Sequence, residues 1–181
     1  MPTSPVLLTA LSSWEVITVQ ARPLFHGCRA DDFGIDVAWQ QISGVKWFSA
    51  RRGDACDYPW HVTREKSPAI PYVATVTLLP GLRAVVRPDD LTGKFLPLLA
   101  TAFPKVQGYD LSREFQSTLL EHLQALHGPA VNAYAFSRDL EELLIPESGK
   151  WVESIAFEEL PFNRDDYLLQ RDGADDRPSN R

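Results

Sequence analysis

The feature that most restricts the fold of this chain is a run of β-branched and apolar residues from Tyr72 to Leu79, which Pro80-Gly81 ends. Branching at Cβ disfavours a helix and suits a pleated surface. A Pro-Gly pair then favours a turn. The run therefore predicts one long strand, and we expect Leu82 to Val86 to continue as the next strand after the turn.

Shorter extended segments lie on both sides of this strand. They are rich in β-branched or aromatic residues and are bounded by Gly, Pro or Asp, which is the pattern of short strands. We expect strands over residues 14–26, 44–49, 131–136, 142–145 and 151–157.

Helical patterns occur mainly in the second half of the chain. The best is 111–127, where apolar residues recur at helical spacing on one face and Gly128-Pro129 stops the pattern. Residues 91–103 are apolar but interrupted by Pro97, which predicts a kink or two short pieces. Asp31-Asp32 predicts the cap of a short helical element near 33–37. Interleaved strands and helices indicate the α+β class.

The chain has 181 residues, which suits one domain with a core of its own. Apolar patterning continues to about residue 163, and the sequence beyond it is polar and charged. We expect a single domain over 1–163 and a frayed tail over 164–181.

The charge pattern argues against duplex nucleic acid as a partner. The formal net charge is −6, and no Lys/Arg cluster extends beyond Arg51-Arg52. Binding to the phosphate backbone of a duplex draws on clustered cations. An acidic chain suits a basic protein surface better.

Cysteine use and hydropathy indicate the compartment. Cys28 and Cys56 are the two cysteines, and they form no Cys-x-x-Cys pair or His/Cys metal spacing. Two thiols of this kind suit a reducing compartment. The first ten residues lack a cationic start, and no apolar run approaches the roughly 20 residues of a membrane helix. We expect a cytoplasmic protein with no membrane partner and no metal site.

Two common nucleotide-binding motifs are missing from the sequence. It contains neither Gly-x-Gly-x-x-Gly nor Gly-x-x-x-x-Gly-Lys-Ser/Thr. Both motifs cradle phosphates at the start of a helix. A dinucleotide-binding Rossmann domain and a P-loop are therefore not expected.

A different set of local segments follows in a suggestive order. The segments are Arg22 to Cys28 (Arg-Pro-Leu-Phe-His-Gly-Cys), Gly44 to Ser49 (Gly-Val-Lys-Trp-Phe-Ser) with Ala55 and Tyr58 behind it, Tyr72 to Gly81, and Val131 to Phe136 followed by Glu141 to Pro146 (Glu-Glu-Leu-Leu-Ile-Pro).

Together these segments resemble the ADP-ribosyltransferase family, in its His–Tyr–Glu branch. That branch has a strand ending in His-Gly-Thr, a strand like Tyr-Phe-Ser, a short helix with Ala and Tyr, and a late strand that begins with Glu. The resemblance covers residues 14–157. Cys28 stands where Thr is usual, and Trp47 stands where Tyr is frequent.

The resemblance implies an α+β fold with a split β-sheet core and flanking helices. It implies that NAD is bound as a substrate and cleaved at the nicotinamide–ribose bond. ADP-ribose would then pass to a macromolecular or small-molecule acceptor, or to water. The cofactor-binding residues implied by the resemblance are His26, Gly27, Ser49 and Tyr58, and the catalytic residue is Glu142.

The residue types suit these roles. An imidazole at His26 can hydrogen bond to ribose hydroxyls, and Gly27 permits close approach of the backbone. An aromatic face at Tyr58 can stack on nicotinamide. Ser49 has two open roles, since it can cap the following helix or bond a ligand. Packing roles for His26 and Tyr58 remain as alternatives.

Three glutamates compete for the catalytic role. A fixed carboxylate near the ribose stabilises the positive charge that develops as the glycosidic bond breaks. Glu142 fits the pattern Glu-Leu-Leu-Ile-Pro, whereas its neighbour Glu141 would point the other way on a strand. Glu153 precedes a similar strand and is the third candidate. A solvated strand edge is the alternative for all three.

Two further hypotheses about function stay open at this point. The chain can be a non-catalytic binding or inhibitor module that keeps the fold and docks on a protein partner. It can also be a structural domain whose match to the motifs is accidental.

Overall fold

The computed structural model describes residues 9, 12, 14–60, 68–86, 123–135 and 137–168. These residues form a mixed α+β structure in which strands predominate. None of the helices in these ranges is long and apolar enough to cross a bilayer.

Ten strands and a short α-helix organise the described residues, which are also helical over 123–127 and 164–168. In chain order they are β1 (Glu15–Thr18), β2 (Leu24–Arg29), β3 (Ile35–Asp36), β4 (Gln41–Ile42), β5 (Lys46–Phe48), α1 (Arg52–Asp57), β6 (Pro71–Leu78), β7 (Arg83–Val86), β8 (Val131–Ala135), β9 (Leu143–Ile145) and β10 (Val152–Glu159). The 3₁₀ helices are Tyr58–Trp60 and Ser148–Lys150.

The strands form two main sheets and a small hairpin. One sheet has five strands in the order β1-β7-β8-β9-β5, and the other has three in the order β10-β6-β2. β7 and β8 are parallel, and the remaining pairs are antiparallel. β3 and β4 form the hairpin.

A single β-bridge links the two main sheets. Phe25 in β2 exchanges backbone hydrogen bonds with Ser49, which follows β5, at 2.7 and 2.8 Å. This bridge brings the edge of the three-stranded sheet against the edge of the five-stranded sheet.

The main core lies between these two sheets. Leu24 and Val76 contribute from the three-stranded sheet, and Phe48, Ala84 and Leu143 contribute from the five-stranded sheet. Paired residues share a face of a sheet, so the register Leu24–Val76 turns both side chains toward this core.

A second cluster covers the other face of the three-stranded sheet. There α1 and the 3₁₀ helix after it pack with Val73, and the rings of Trp60 and Tyr167 stack at 4.8 Å between centroids. Tyr167 belongs to a helical segment over residues 164–168. Packing therefore extends to Tyr167, past the expected domain end at 163. The rest of the expected tail, 169–181, lies outside the described residues.

The other strand predictions are confirmed with small shifts of their ends, but the extended segment predicted over 14–26 divides into β1 and β2, which belong to different sheets. The helix over 111–127 is described only at 123–127, which is helical up to Gly128, and 91–103 lies outside the described residues. The prediction of a short helical element near 33–37 was wrong. Gly34 has a φ of +73°, which breaks helical continuity, and the chain turns into β3. Asp32 instead accepts a hydrogen bond from the N–H of Arg29 at 2.9 Å.

Gly27 determines how closely α1 packs on β2. A Cβ at this position would lie 1.8 Å from the carbonyl oxygen of Ala55 and 2.8 Å from Cδ of Pro59. The backbone of α1 therefore rests against the strand where only hydrogen fits.

We expect Gly27→Ala to destabilise the protein by about 3 kcal/mol or more, at the top of the range for overpacking. The clash is with backbone, which cannot turn aside as a side chain can. Gly53→Ala is the matched control, because nothing lies within 4 Å of its Cβ position in α1. It should leave stability unchanged or raise it by up to about 1 kcal/mol. Denaturant unfolding measures both, and equal stability of the two variants would refute this packing.

Candidate functional site

The edge of β2 at Gly27, which is buried and which none of the described strands continues, is the centre of the candidate site. Backbone groups of alternate residues in a strand point to opposite sides, and those of Phe25 point to Ser49. Those of Gly27 therefore point the same way, away from β6. Within the described residues the pairing with Ser49 ends at Phe25, and β2 is the last strand of its sheet. The Gly27 N–H and C=O thus face an edge that no described strand continues.

His26 and Tyr58 approach this edge from different elements. Tyr58 begins the 3₁₀ helix that packs with α1 over the Gly27 face of β2. His26 alternates to the opposite face. Their ring centroids are nevertheless 6.5 Å apart. The two rings therefore come together beside the strand, and the structure brings these two predicted site residues together.

His26 is held in place by a buried hydrogen bond. Its side chain is almost fully buried, and Nδ1 lies 2.6 Å from the carbonyl oxygen of Trp47. Its ring also packs 5.6 Å from that of Phe48. A carbonyl oxygen only accepts hydrogen bonds, so Nδ1 carries the proton. In the neutral ring Nε2 is then the accepting nitrogen.

Tyr58 is much more accessible than His26. Its exposure is 40%, which leaves a large part of the side chain in contact with solvent. A tilted contact with the neighbouring ring and this exposure leave aromatic surface for a flat ligand.

Ser49 forms hydrogen bonds with the backbone of two other segments, β2 and the turn before α1. Its backbone forms the bridge to Phe25, and its buried hydroxyl accepts a hydrogen bond from the N–H of Arg51 at 2.9 Å. The hydroxyl is 3.5 Å from Oδ2 of Asp54, to which it donates. The cap position of α1 is Arg51, without a side-chain cap. Ser49 therefore organises the turn before the helix from two residues upstream.

Glu142 lies directly before β9, across from Ser49. β9 pairs with β5 in the register Phe48–Leu143, so the next position outward sets Glu142 opposite Ser49. Ser49 in turn bridges to β2. With neighbouring strands about 4.8 Å apart, the backbone at Glu142 lies about 10 Å from that of β2. The side chain of Glu142 is exposed, whereas the neighbouring cross-strand pair, Phe48 and Leu143, faces the core.

The two competing glutamates occupy other environments. Glu141 forms an ion pair with Arg51 at 2.5 Å, which connects the chain before β9 to the turn before α1. Glu153 lies in β10, at the far edge of the three-stranded sheet from β2. Of the three glutamates, Glu142 and Glu141 therefore lie next to the bridge, whereas Glu153 does not.

Cys56 is a packing residue of the helix that carries the site. Its side chain is fully buried in the cluster around Trp60. Burial raises the pKa of the Cys56 thiol, and this effect outweighs the hydrogen bond with Tyr167 and the charge of Arg52, which lower it. The thiol therefore stays protonated near neutral pH, which is unsuited to a nucleophile.

Sequence analysis missed Arg29 as a supporting residue. It ends β2, is fully buried, and donates from Nε to the carbonyl of Pro59 at 2.8 Å and from Nη1 to that of Ala69 at 2.7 Å. These bonds tie the 3₁₀ helix that contains Tyr58 to β2. The available signal was a charged residue that directly follows a run of buried strand positions.

Comparison of the chain with protein-family models finds no match, and comparisons with curated proteins and with solved structures find none either. The interpretation of the site therefore depends on its own geometry.

We expect neutral His26 to be the Nδ1–H tautomer, because Nδ1 must donate to the carbonyl of Trp47. Nitrogen NMR of protein with ¹⁵N-labelled histidine, recorded near neutral pH, distinguishes the two tautomers. The spectrum of His26→Ala assigns the signal among the four histidines. A proton on Nε2 with a bare Nδ1 would contradict the hydrogen bond.

Proposed function

We propose that this protein binds NAD at the Gly27 edge of β2 and cleaves the nicotinamide–ribose bond. ADP-ribose is then transferred to an acceptor or to water. The observation that carries the proposal is the buried backbone edge at Gly27, which no described strand continues, with the rings of His26 and Tyr58 meeting beside it.

The chemistry of nicotinamide suits this edge. Its carboxamide has one acceptor oxygen and an NH₂ donor, as a peptide group does. Gly27 offers an N–H and a C=O on the same side of the strand, so the carboxamide can bond to both as a neighbouring strand would. Tyr58 has exposed aromatic surface on which the flat pyridinium ring can stack, and the positive charge of that ring adds a cation–π attraction.

His26 is suited to the ribose of the same nucleotide. With Nδ1 donating to Trp47, Nε2 of the neutral ring accepts from a hydroxyl group. The buried hydrogen bond fixes the orientation of the ring before the ligand arrives. Such preorganisation lowers the ordering cost of binding.

Glu142 supplies the negative charge for the reaction. When the bond between ribose C1′ and the pyridinium nitrogen breaks, its electron pair leaves with neutral nicotinamide and positive charge develops on the ribose. A carboxylate close to the ribose stabilises that charge. The acceptor, or water, then forms the new bond to C1′ and releases its proton to Glu142 or solvent.

The arrangement of the sheets also supports the proposal. The five-stranded and three-stranded sheets meet at one bridge, which is compatible with the split β-sheet core expected from the resemblance. All the proposed site residues lie at or next to that junction. Cys28 and Cys56 are buried and form no disulfide, which suits a cytoplasmic setting for the reaction.

One observation favours a second candidate function. The side chain of Glu142 is exposed rather than enclosed, whereas carboxylates act most strongly on charge in sites that exclude water. A non-catalytic module that keeps this fold and docks on a protein partner is therefore the alternative.

Glu142→Gln should reduce nicotinamide release by a factor of about 100 or more, equivalent to about 2.7 kcal/mol. The substitution keeps size and shape but removes the charge that stabilises the transition state. The ribose of ground-state NAD is neutral, so the affinity for NAD should hardly change. Nicotinamide release and NAD binding by calorimetry measure the two effects separately.

Glu141→Gln and Glu153→Gln are the matched controls for this experiment. Each removes one negative charge, the first beside the site and the second at the far sheet edge. Both should retain most of the parent rate. If Glu153→Gln is the inactive variant, the catalytic carboxylate is misplaced. If the parent binds NAD poorly and releases no nicotinamide with any acceptor, the proposed reaction is wrong and the binding module is favoured.

A further inference from the structure

A second cleft lies away from the junction of the two sheets. It has a volume of about 650 Å³ and runs between the β3–β4 hairpin and the start of β10. It is lined by Gly34, Ile35, Asp36, Gln40, Gln41, Ile42, Ser43, Gly149, Val152, Glu153, Ser154 and Ile155. None of these residues belongs to the site around Gly27, so the proposed reaction with NAD leaves this cleft without a role.

The lining of the cleft is acidic. Asp36 and Glu153 contribute carboxylates, and none of the lining residues is Lys, Arg or His. The other polar groups are the amides of two glutamines and the hydroxyls of two serines. Isoleucine and valine side chains complete the walls. A cation on an apolar stem matches this combination, because the stem packs on the aliphatic wall while the head meets the carboxylates.

Glu153 is the carboxylate best placed to bind such a cation. The register between β10 and β6 shifts between Val152 and Ser154, which makes Glu153 a bulged residue. Bulges turn a side chain away from the regular alternation of a strand. Within the described ranges no hydrogen bond or ion pair involves the Glu153 side chain, which is exposed.

An exposed tryptophan adjoins the cleft. Trp39 lies in the hairpin loop between the lining residues Asp36 and Gln40, and 75% of it is exposed. Its backbone N–H donates to Oδ1 of Asp36 at 3.0 Å, which ties Trp39 to one of the lining carboxylates. A guanidinium stacks on tryptophan and bonds carboxylates in pairs, whereas an ammonium lacks the planar fork.

We infer that this cleft binds an arginine side chain presented by a basic segment of a partner protein. The guanidinium pairs with Glu153 and the acidic wall, and Trp39 covers its face. Gln40 holds the hairpin to β10, because its amide bonds to Val37 and Phe157, and the amide of Gln41 serves the backbone of the segment. The net charge of −6 adds a general attraction for such a segment. The inference is independent of the reaction with NAD.

The test uses an acetylated and amidated tri-arginine peptide with the full chain, in calorimetric titrations at physiological salt. Tri-citrulline has the same shape without charge, and tri-lysine has the charge without the planar fork. We expect tri-arginine to bind at least about tenfold more tightly than either peptide. Free arginine amide should bind more weakly than the peptide, since it has no neighbouring backbone for the amide of Gln41.

Variants locate the site. Glu153→Gln and Trp39→Ala should each weaken binding of tri-arginine by about tenfold. Glu159→Gln removes the same charge from the other end of β10 and should leave the affinity within about twofold. Equal losses in Glu153→Gln and Glu159→Gln would show attraction to the net charge alone and overturn the inference. Binding of tri-lysine as tight as that of tri-arginine, or free arginine amide as tight as the peptide, would overturn it as well.

Discussion

The bridge between Phe25 and Ser49 determines the geometry of the rest of the structure. It is short, with two backbone hydrogen bonds, and it is the point at which β2 meets the chain that leaves β5. The pairing of β2 with this segment stops at Phe25. Gly27, two residues further on, points its N–H and C=O to the same side as Phe25, where no described strand pairs with them. Glu142 lies on the other side of Ser49 through the β5–β9 register. Through this bridge Gly27, Ser49 and Glu142 follow one another across three neighbouring chain segments.

α1 and the 3₁₀ helix after it pack closely on the face of β2 that points away from the main core. α1 approaches Gly27 so tightly that a methyl group would meet the carbonyl of Ala55, and Arg29 fastens the following 3₁₀ helix through the carbonyl of Pro59. Tyr58 lies in sequence between Ala55 and Pro59, the two residues that make these contacts. Its position beside His26 is therefore set by the packing of the backbone and not by its own burial, which leaves the ring available to a ligand.

Much of this arrangement was predictable from local sequence, and some of it was not. β-Branched runs ended by Gly or Pro identified β6 and most other strands, because that signal is local. The prediction of a short helix near 33–37 failed because this segment forms a turn. The carboxylate of Asp32 accepts a hydrogen bond from the N–H of Arg29, and Gly34 adopts a positive φ. The buried contacts of Arg29 and the cleft beside Glu153 depend on segments far apart in sequence, for which the residue pattern gives no direct signal.

Backbone amide NMR during an NAD titration tests whether NAD binds along the backbone edge of β2, as we propose. We expect the N–H of Gly27 to show one of the largest shift changes, together with the amides of Ser49 and Tyr58, since a carboxamide that bonds the strand edge must alter that N–H. Unchanged Gly27 with saturating shifts at Gly34 and Gly149, in the cleft beside β10, would contradict it, as would no shift at either place at millimolar NAD.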